Sequence, residues 1–168
     1  IQVLEEAGIR PDLVVGTSIG AINGAAIAAE PTADAARRLW AMWDDVTSSD
    51  VFNASLLARI RTLARTRTHV HSDEALRTLI EDNLPARTFA ELAVPFQCVA
   101  ASIERAAEHW FTSGPLVHAV LASCAVPGVL PAVCIEDEHF IDGGIVNSIP
   151  VGRAVTLGAR EVYVLHVG

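Results

Sequence analysis

An apolar run at residues 13–16, Leu-Val-Val-Gly, passes directly into Gly16-Thr17-Ser18-Ile19-Gly20 and then into a stretch rich in Ala and Ile that reaches residue 29. A short apolar run bounded by Pro11-Asp12 and glycine reads as a buried strand. The stretch after it reads as a buried helix, stopped near Pro31. Strand, tight turn and helix in that order leave Ser18 on the turn, with its hydroxyl lifted above the sheet edge. Both Gly16 and Gly20 are expected to matter sterically, because a side chain at either would collide across so tight a turn. The helix N-terminus behind Ser18 favours negative charge developing there.

Around this unit the chain alternates helices and strands. Residues 1–7 read as the end of a helix with Gly8 at its C-cap. Residues 34–46 read as a second helix with Leu39, Trp40, Met42 and Trp43 as its apolar content. Leu56, Leu57, Ile60 and Leu63 share one face of a third, with Arg61 and Arg65 opposite. Ser72 is placed to cap a fourth, with Asp73 and Glu74 in its first turn and Asn83-Leu84-Pro85 ending it. Residues 96–101 and 109–111 read as strands, and residues 115–122 as a helix. Residues 134–135 and 139–141 flank the polar turn Glu136-Asp137-Glu138 as a hairpin. Residues 162–167 read as a closing apolar strand. The expected fold is α/β, with a mostly parallel central sheet flanked by helices and a nucleophile elbow at Ser18.

A chain of 168 residues fits one domain, and 51% hydrophobic residues supply a core. The formal net charge of -8 argues against nucleic acid as a main partner, since phosphates would be repelled. It argues equally against attraction of the whole surface to anionic membranes. No apolar run is long enough to span a bilayer. Cys98, Cys124 and Cys134 are odd in number and widely spaced, so they read as small buried hydrophobes in a reducing compartment, and the expected location is cytoplasmic. His69 and His71 alternate but have no third ligand near, and no metal or cofactor is expected. Arg59, Arg61, Arg65 and Arg67 read as a solvated face. Trp40 and Trp43 read as core residues of their helix.

A serine hydroxyl is a weak nucleophile without a base beside it. Asp142 follows the strand at residues 139–141 and precedes Gly143-Gly144, where backbone can approach a site closely. Six histidines are also present. His166 follows Asp142, so the order Ser, Asp, His is formally available. It sits inside an apolar run, however, and a packed histidine is the plainer reading.

Three separated blocks carry a resemblance. They are Gly16-Thr17-Ser18-Ile19-Gly20-Ala21-Ile22-Asn23; Ala122-Ser123-Cys124-Ala125-Val126-Pro127-Gly128 with Pro131 after it; and Asp142-Gly143-Gly144-Ile145-Val146-Asn147-Ser148-Ile149-Pro150. Together they resemble the patatin-like phospholipase family, in its bacterial type. The likeness covers nearly the whole chain and is least diagnostic over residues 30–90, a helical, lid-like stretch within one catalytic domain. The resemblance implies a Ser18–Asp142 dyad without an essential histidine, supported by Gly16, Gly20, Gly143 and Gly144. It implies hydrolysis of phospholipids and other acyl lipids through an acyl-enzyme, at a membrane or micelle surface and without a metal. Ser123 reads as structural, in a run suited to tight helix packing.

Two departures from the family pattern bear on this expectation. Ser148 stands where a second Asn is usual. The family also carries a Gly-rich oxyanion loop one helix before the elbow strand, and here only Gly8 precedes that strand among the glycines. The chain is therefore expected to be truncated at both ends. Two alternatives stand beside the dyad hydrolase: a Ser-Asp-His esterase using His166, and a non-catalytic homologue that binds acyl lipid.

Overall fold

The computed structural model describes residues 1–48 and 73–166. The expected helix at residues 56–63, the arginines 59–67, His69, His71 and the Ser72 cap lie outside the described residues. Six α-helices and five strands are described: α1 Gln2–Glu6, β1 Val14–Thr17, α2 Ile19–Ala29, α3 Ala33–Ser48, α4 Glu74–Asn83, β2 Phe96–Ser102, β3 Ala107–Phe111, α5 Leu116–Ser123, β4 Val133–Ile135, β5 Glu138–Asp142 and α6 Val151–Thr156. Helix α1 stops where Gly8 takes φ +75 and the Ile9 N–H closes back on the Leu4 carbonyl at 2.9 Å. That is the left-handed cap only glycine adopts without strain.

The sheet is central and helix-flanked, as expected, but it is mixed and not mostly parallel. Among the described residues only β1 with β2 runs parallel; β2 with β3, β2 with β5, and β4 with β5 are antiparallel. The physical reason lies in the connections. A two-residue turn at Glu136 and Asp137, with φ 49 and 64, forces β4 and β5 antiparallel, because parallel neighbours need a long crossover. The same holds for β2 and β3, joined by four residues.

The register fixes which edge each strand occupies. Cys98 and Val99 pair with both β1 and β3, so these two lie on opposite sides of β2. Residues 100–102 pair with both β3 and β5, so β3 and β5 are also on opposite sides. Hence β1 and β5 share one edge of β2 and meet end to end. Thr17 faces Val99 and Asp142 faces Ala100, so the C-terminal ends of the two strands point at each other.

The core sits between this sheet and helices α2 to α5, with Ile22, Ile80, Leu116, Val120, Leu121 and Phe140 buried in one cluster. Gly24 lets α2 approach the sheet: a Cβ there would stand 3.0 Å from both Val14 and Phe96 side-chain atoms. Helix α3 buries Leu39 and Met42 but leaves Trp40 68% exposed, so Trp40 is not the core residue its spacing implied. Its neighbour Trp43 is half-buried and donates Nε1–H to Asn23 Oδ1 at 2.8 Å, tying α3 to α2.

Residues 162–166 also depart from expectation. They form no strand, and Val162, Tyr163, Val164 and Leu165 are exposed. They lie across a groove of about 1520 Å³ from Leu13 and Val15 of the β1 region instead of pairing with the sheet. An apolar run becomes a strand only when a neighbour takes its hydrogen bonds, and composition does not reveal that neighbour.

Candidate active site

Ser18 occupies the turn between β1 and α2 with φ 55 and ψ -125, a conformation that ordinary side chains rarely adopt. Close crossing of strand and helix enforces it. A Cβ on Gly16 would stand 2.4 Å from the Gly20 carbonyl oxygen and 2.8 Å from the Ala21 Cα. The contact rests on Gly16 alone. A Cβ on Gly20 would meet nothing within 4 Å, so the expected collision at Gly20 does not occur. The reason is direction: Gly20 offers its carbonyl to the crossing strand, while its own Cβ position faces open space.

Asp142 ends β5 directly opposite. Ser18 Oγ donates to Asp142 Oδ2 at 2.6 Å, at the short end for such a bond. The other carboxylate oxygen, Oδ1, accepts the Gly144 N–H at 2.7 Å. Asp142 is buried, with 5% of its surface exposed. Gly143 is required for the approach, since a Cβ there would stand 2.2 Å from the Val99 carbonyl oxygen. At Gly144 a Cβ would press on Asp142 Oδ1 from 2.9 Å. The end-to-end meeting of β1 and β5 thus brings together two residues 124 positions apart.

Comparison with other proteins fits this arrangement. The patatin-like phospholipase family model matches residues 1–155. The chain belongs to the patatin-like phospholipase family. It is 30% identical to patatin-like phospholipase domain-containing protein 7 of Rattus norvegicus and 31% identical to domain-containing protein 6 of Homo sapiens. All of the chain is covered in both, but only 12% of each relative. It is also 28% identical, over all of its length and 11% of the relative's, to lysophospholipase nte1 of Aspergillus terreus. The chain therefore spans about an eighth of the length of the curated relatives it matches.

All three blocks that carried the patatin-like resemblance meet at this site: the elbow, the C-terminal end of α5 and the loop after β5. Among the described residues no histidine bonds to Ser18 or Asp142. His166 is exposed, not packed inside a strand. His109 packs edge-on against Phe111 and tilted against Phe140 and contacts Arg105, His139 pairs with Glu104, and His118 is exposed. Cys98 and Cys124 are buried as expected, whereas Cys134 is exposed because it points outward from β4. Among the described residues no cluster of His, Cys, Asp or Glu could hold a metal ion.

Four hydrogen bonds at the site were not among the sequence expectations. Thr17 Oγ1 donates to the Asn147 carbonyl at 2.9 Å, fastening the loop after Asp142 to the elbow. The Asn147 side chain is held in turn, its amide donating to Glu108 Oε2 at 3.0 Å. Ser123 accepts the Ser18 N–H at 2.9 Å and donates to the Val99 carbonyl at 2.6 Å. A fully buried hydroxyl in an apolar helix must find partners, and the apolar run around it is the part of that signal present in the sequence.

Proposed function

We propose that this chain is a lipid acyl hydrolase in which Ser18 is the nucleophile and Asp142 its base. The observation that carries the reading is the 2.6 Å bond from Ser18 Oγ to Asp142 Oδ2. The family and the lysophospholipase among the relatives support a phospholipid or other acyl lipid as substrate, met at a membrane or micelle surface.

Ser18 Oγ attacks the ester carbonyl carbon while its proton passes to Asp142 Oδ2. The tetrahedral adduct collapses as that proton moves to the leaving alcohol, leaving an acyl group on Ser18. Water then attacks the acyl carbon, Asp142 takes its proton, and collapse returns the proton to Ser18 Oγ and releases the fatty acid. The N-terminal end of α2 lies at Ser18 and favours the negative charge that appears in each step. The Gly144 N–H keeps the carboxylate turned so that Oδ2 faces the serine.

Intact mass after exposure to a fluorophosphonate tests this. One adduct is expected on the wild-type chain and none on Ser18→Ala, while Asp142→Asn slows labelling on the order of 100- to 10,000-fold. Labelling that persists in Ser18→Ala, or a wild-type rate in Asp142→Asn, removes the dyad. An unlabelled wild-type chain that still binds lipid favours the non-catalytic homologue.

A further inference from the structure

We infer that Ser123 is a positioning residue for the nucleophile, the pin that holds the strained elbow backbone of Ser18 against the centre of the sheet. The inference rests on the dyad reading above and extends it to a third side chain.

Four observations converge on this pin. Ser123 is fully buried, at 0% exposure, at the C-terminal end of α5. Its hydroxyl has one proton, and that proton is committed to the Val99 carbonyl at 2.6 Å. A lone pair is therefore left to accept the Ser18 N–H at 2.9 Å. Ser18 is also the residue whose backbone is strained, with φ 55, and such a conformation persists only where its surroundings over-determine it.

Val99 is the common floor of the site. It faces Thr17 in the register of β1 with β2, receives the Ser123 hydroxyl, and has Gly143 packed against its carbonyl. Both halves of the dyad are thereby referred to one peptide of the central strand. Through Ser123 the orientation of the Ser18 backbone, and with it the direction of Cβ and Oγ, is fixed relative to Asp142. Crowding at Gly16 forces the turn to be tight but does not select the plane of the Ser18 peptide; the hydrogen bond does.

Removing the hydroxyl leaves the Ser18 N–H without its acceptor and frees the elbow to relax. The experiment is fluorophosphonate labelling of the full chain as Ser123→Ala, with the maximal labelling rate separated from the probe's half-saturation concentration and folding checked by circular dichroism. We expect the maximal rate to fall about 10- to 100-fold, with half-saturation nearly unchanged, because small displacements of a reacting atom carry penalties of that size. A folded Ser123→Ala that labels at the wild-type maximal rate overturns the inference. Should Ser123→Ala not fold, Ser123→Cys decides in the same way: its thiol fills nearly the same space but bonds weakly, so a slowed rate supports the pin and a wild-type rate overturns it. Exchange of the Ser18 amide, followed by NMR, provides a readout that needs no catalysis. It should speed up about tenfold or more when the acceptor is removed, and unchanged exchange in a folded variant also overturns the inference. If the wild-type chain does not label, the dyad reading falls by itself and amide exchange alone decides the pin.

Discussion

At the scale of single residues, the two elbow glycines that look equivalent in the sequence are not equivalent. Gly16 is pressed against the Gly20 carbonyl and Ala21, both backbone atoms that cannot swing aside. Gly16→Ala should therefore cost at least about 3 kcal/mol or prevent folding, as overpacking against fixed atoms does. Gly20 sits in the first turn of α2 with free space where a Cβ would go. Gly20→Ala should be neutral or raise stability by roughly 0.5 kcal/mol, since alanine favours helix. Thermal unfolding of both variants checks this, and equal losses would show that the crossing is misread. His166 gives a second test at this scale. It is exposed, so His166→Ala should leave fluorophosphonate labelling within about twofold of wild type, whereas a triad predicts a loss of several orders of magnitude. The dyad candidates were legible because each sits in a short block whose glycines advertise close backbone approach. The pin at Ser123 is less legible because its block also suits helix packing, and the burial that obliges its hydroxyl to find partners shows only in the fold.

At the scale of elements, the existence of most helices and strands was legible and their mutual direction was not. Periodicity marks β2, β3 and the β4–β5 hairpin, but pairing depends on which edge of β2 is free, and no local pattern encodes that. The hairpin also carries an electrostatic clasp. Glu138 bonds to Arg105, to the Ser102 hydroxyl and hence to the end of β2. The Arg105 bond, followed by that of Ser102, holds the Glu138 carboxyl below its usual range. A depressed carboxyl binds its proton less readily in the folded chain than in the unfolded one. The stabilisation is therefore present above the ordinary carboxyl range and is lost as pH falls through the folded value. Melting temperature against pH should fall on the acid side in the wild type, and Glu138→Gln should flatten part of that fall while lowering the plateau near neutrality. A variant curve parallel to the wild type at every pH would remove the clasp from the account. Glu138 lies at the surface, so the effect should be modest and should shrink in high salt.

At the scale of the whole molecule, β2 is the keystone. It takes β1 and β5 on one edge and β3 on the other, it supports α2 and α5, and its Val99 peptide underlies the candidate site. A sheet built around one strand is expected to unfold as a unit, because losing that strand strips β1, β3 and β5 of a hydrogen-bonded partner. The cysteines report on this without any substitution. Cys98 lies on β2 and is fully buried; Cys124 lies beside it at the end of α5; Cys134 is exposed on β4. Burial pushes the Cys98 thiol up, and burial together with the nearby Asp142 and Cys98 pushes Cys124 well above its ordinary value. Only the thiolate reacts. With an aromatic disulfide reagent at pH 8, one equivalent should react promptly, and Cys134→Ser should abolish that phase. The other two thiols should then react together, at a rate that no longer rises with reagent concentration, since global opening limits it. The same raised values predict an alkaline limb. Unfolded thiols ionise in their ordinary range, while burial holds the pair above it, so stability should decline as pH rises through and beyond that range. Two buried thiols reacting at clearly different limiting rates would mean that α5 opens without β2. The site would then be held by two separable units, and the keystone description would have to be given up.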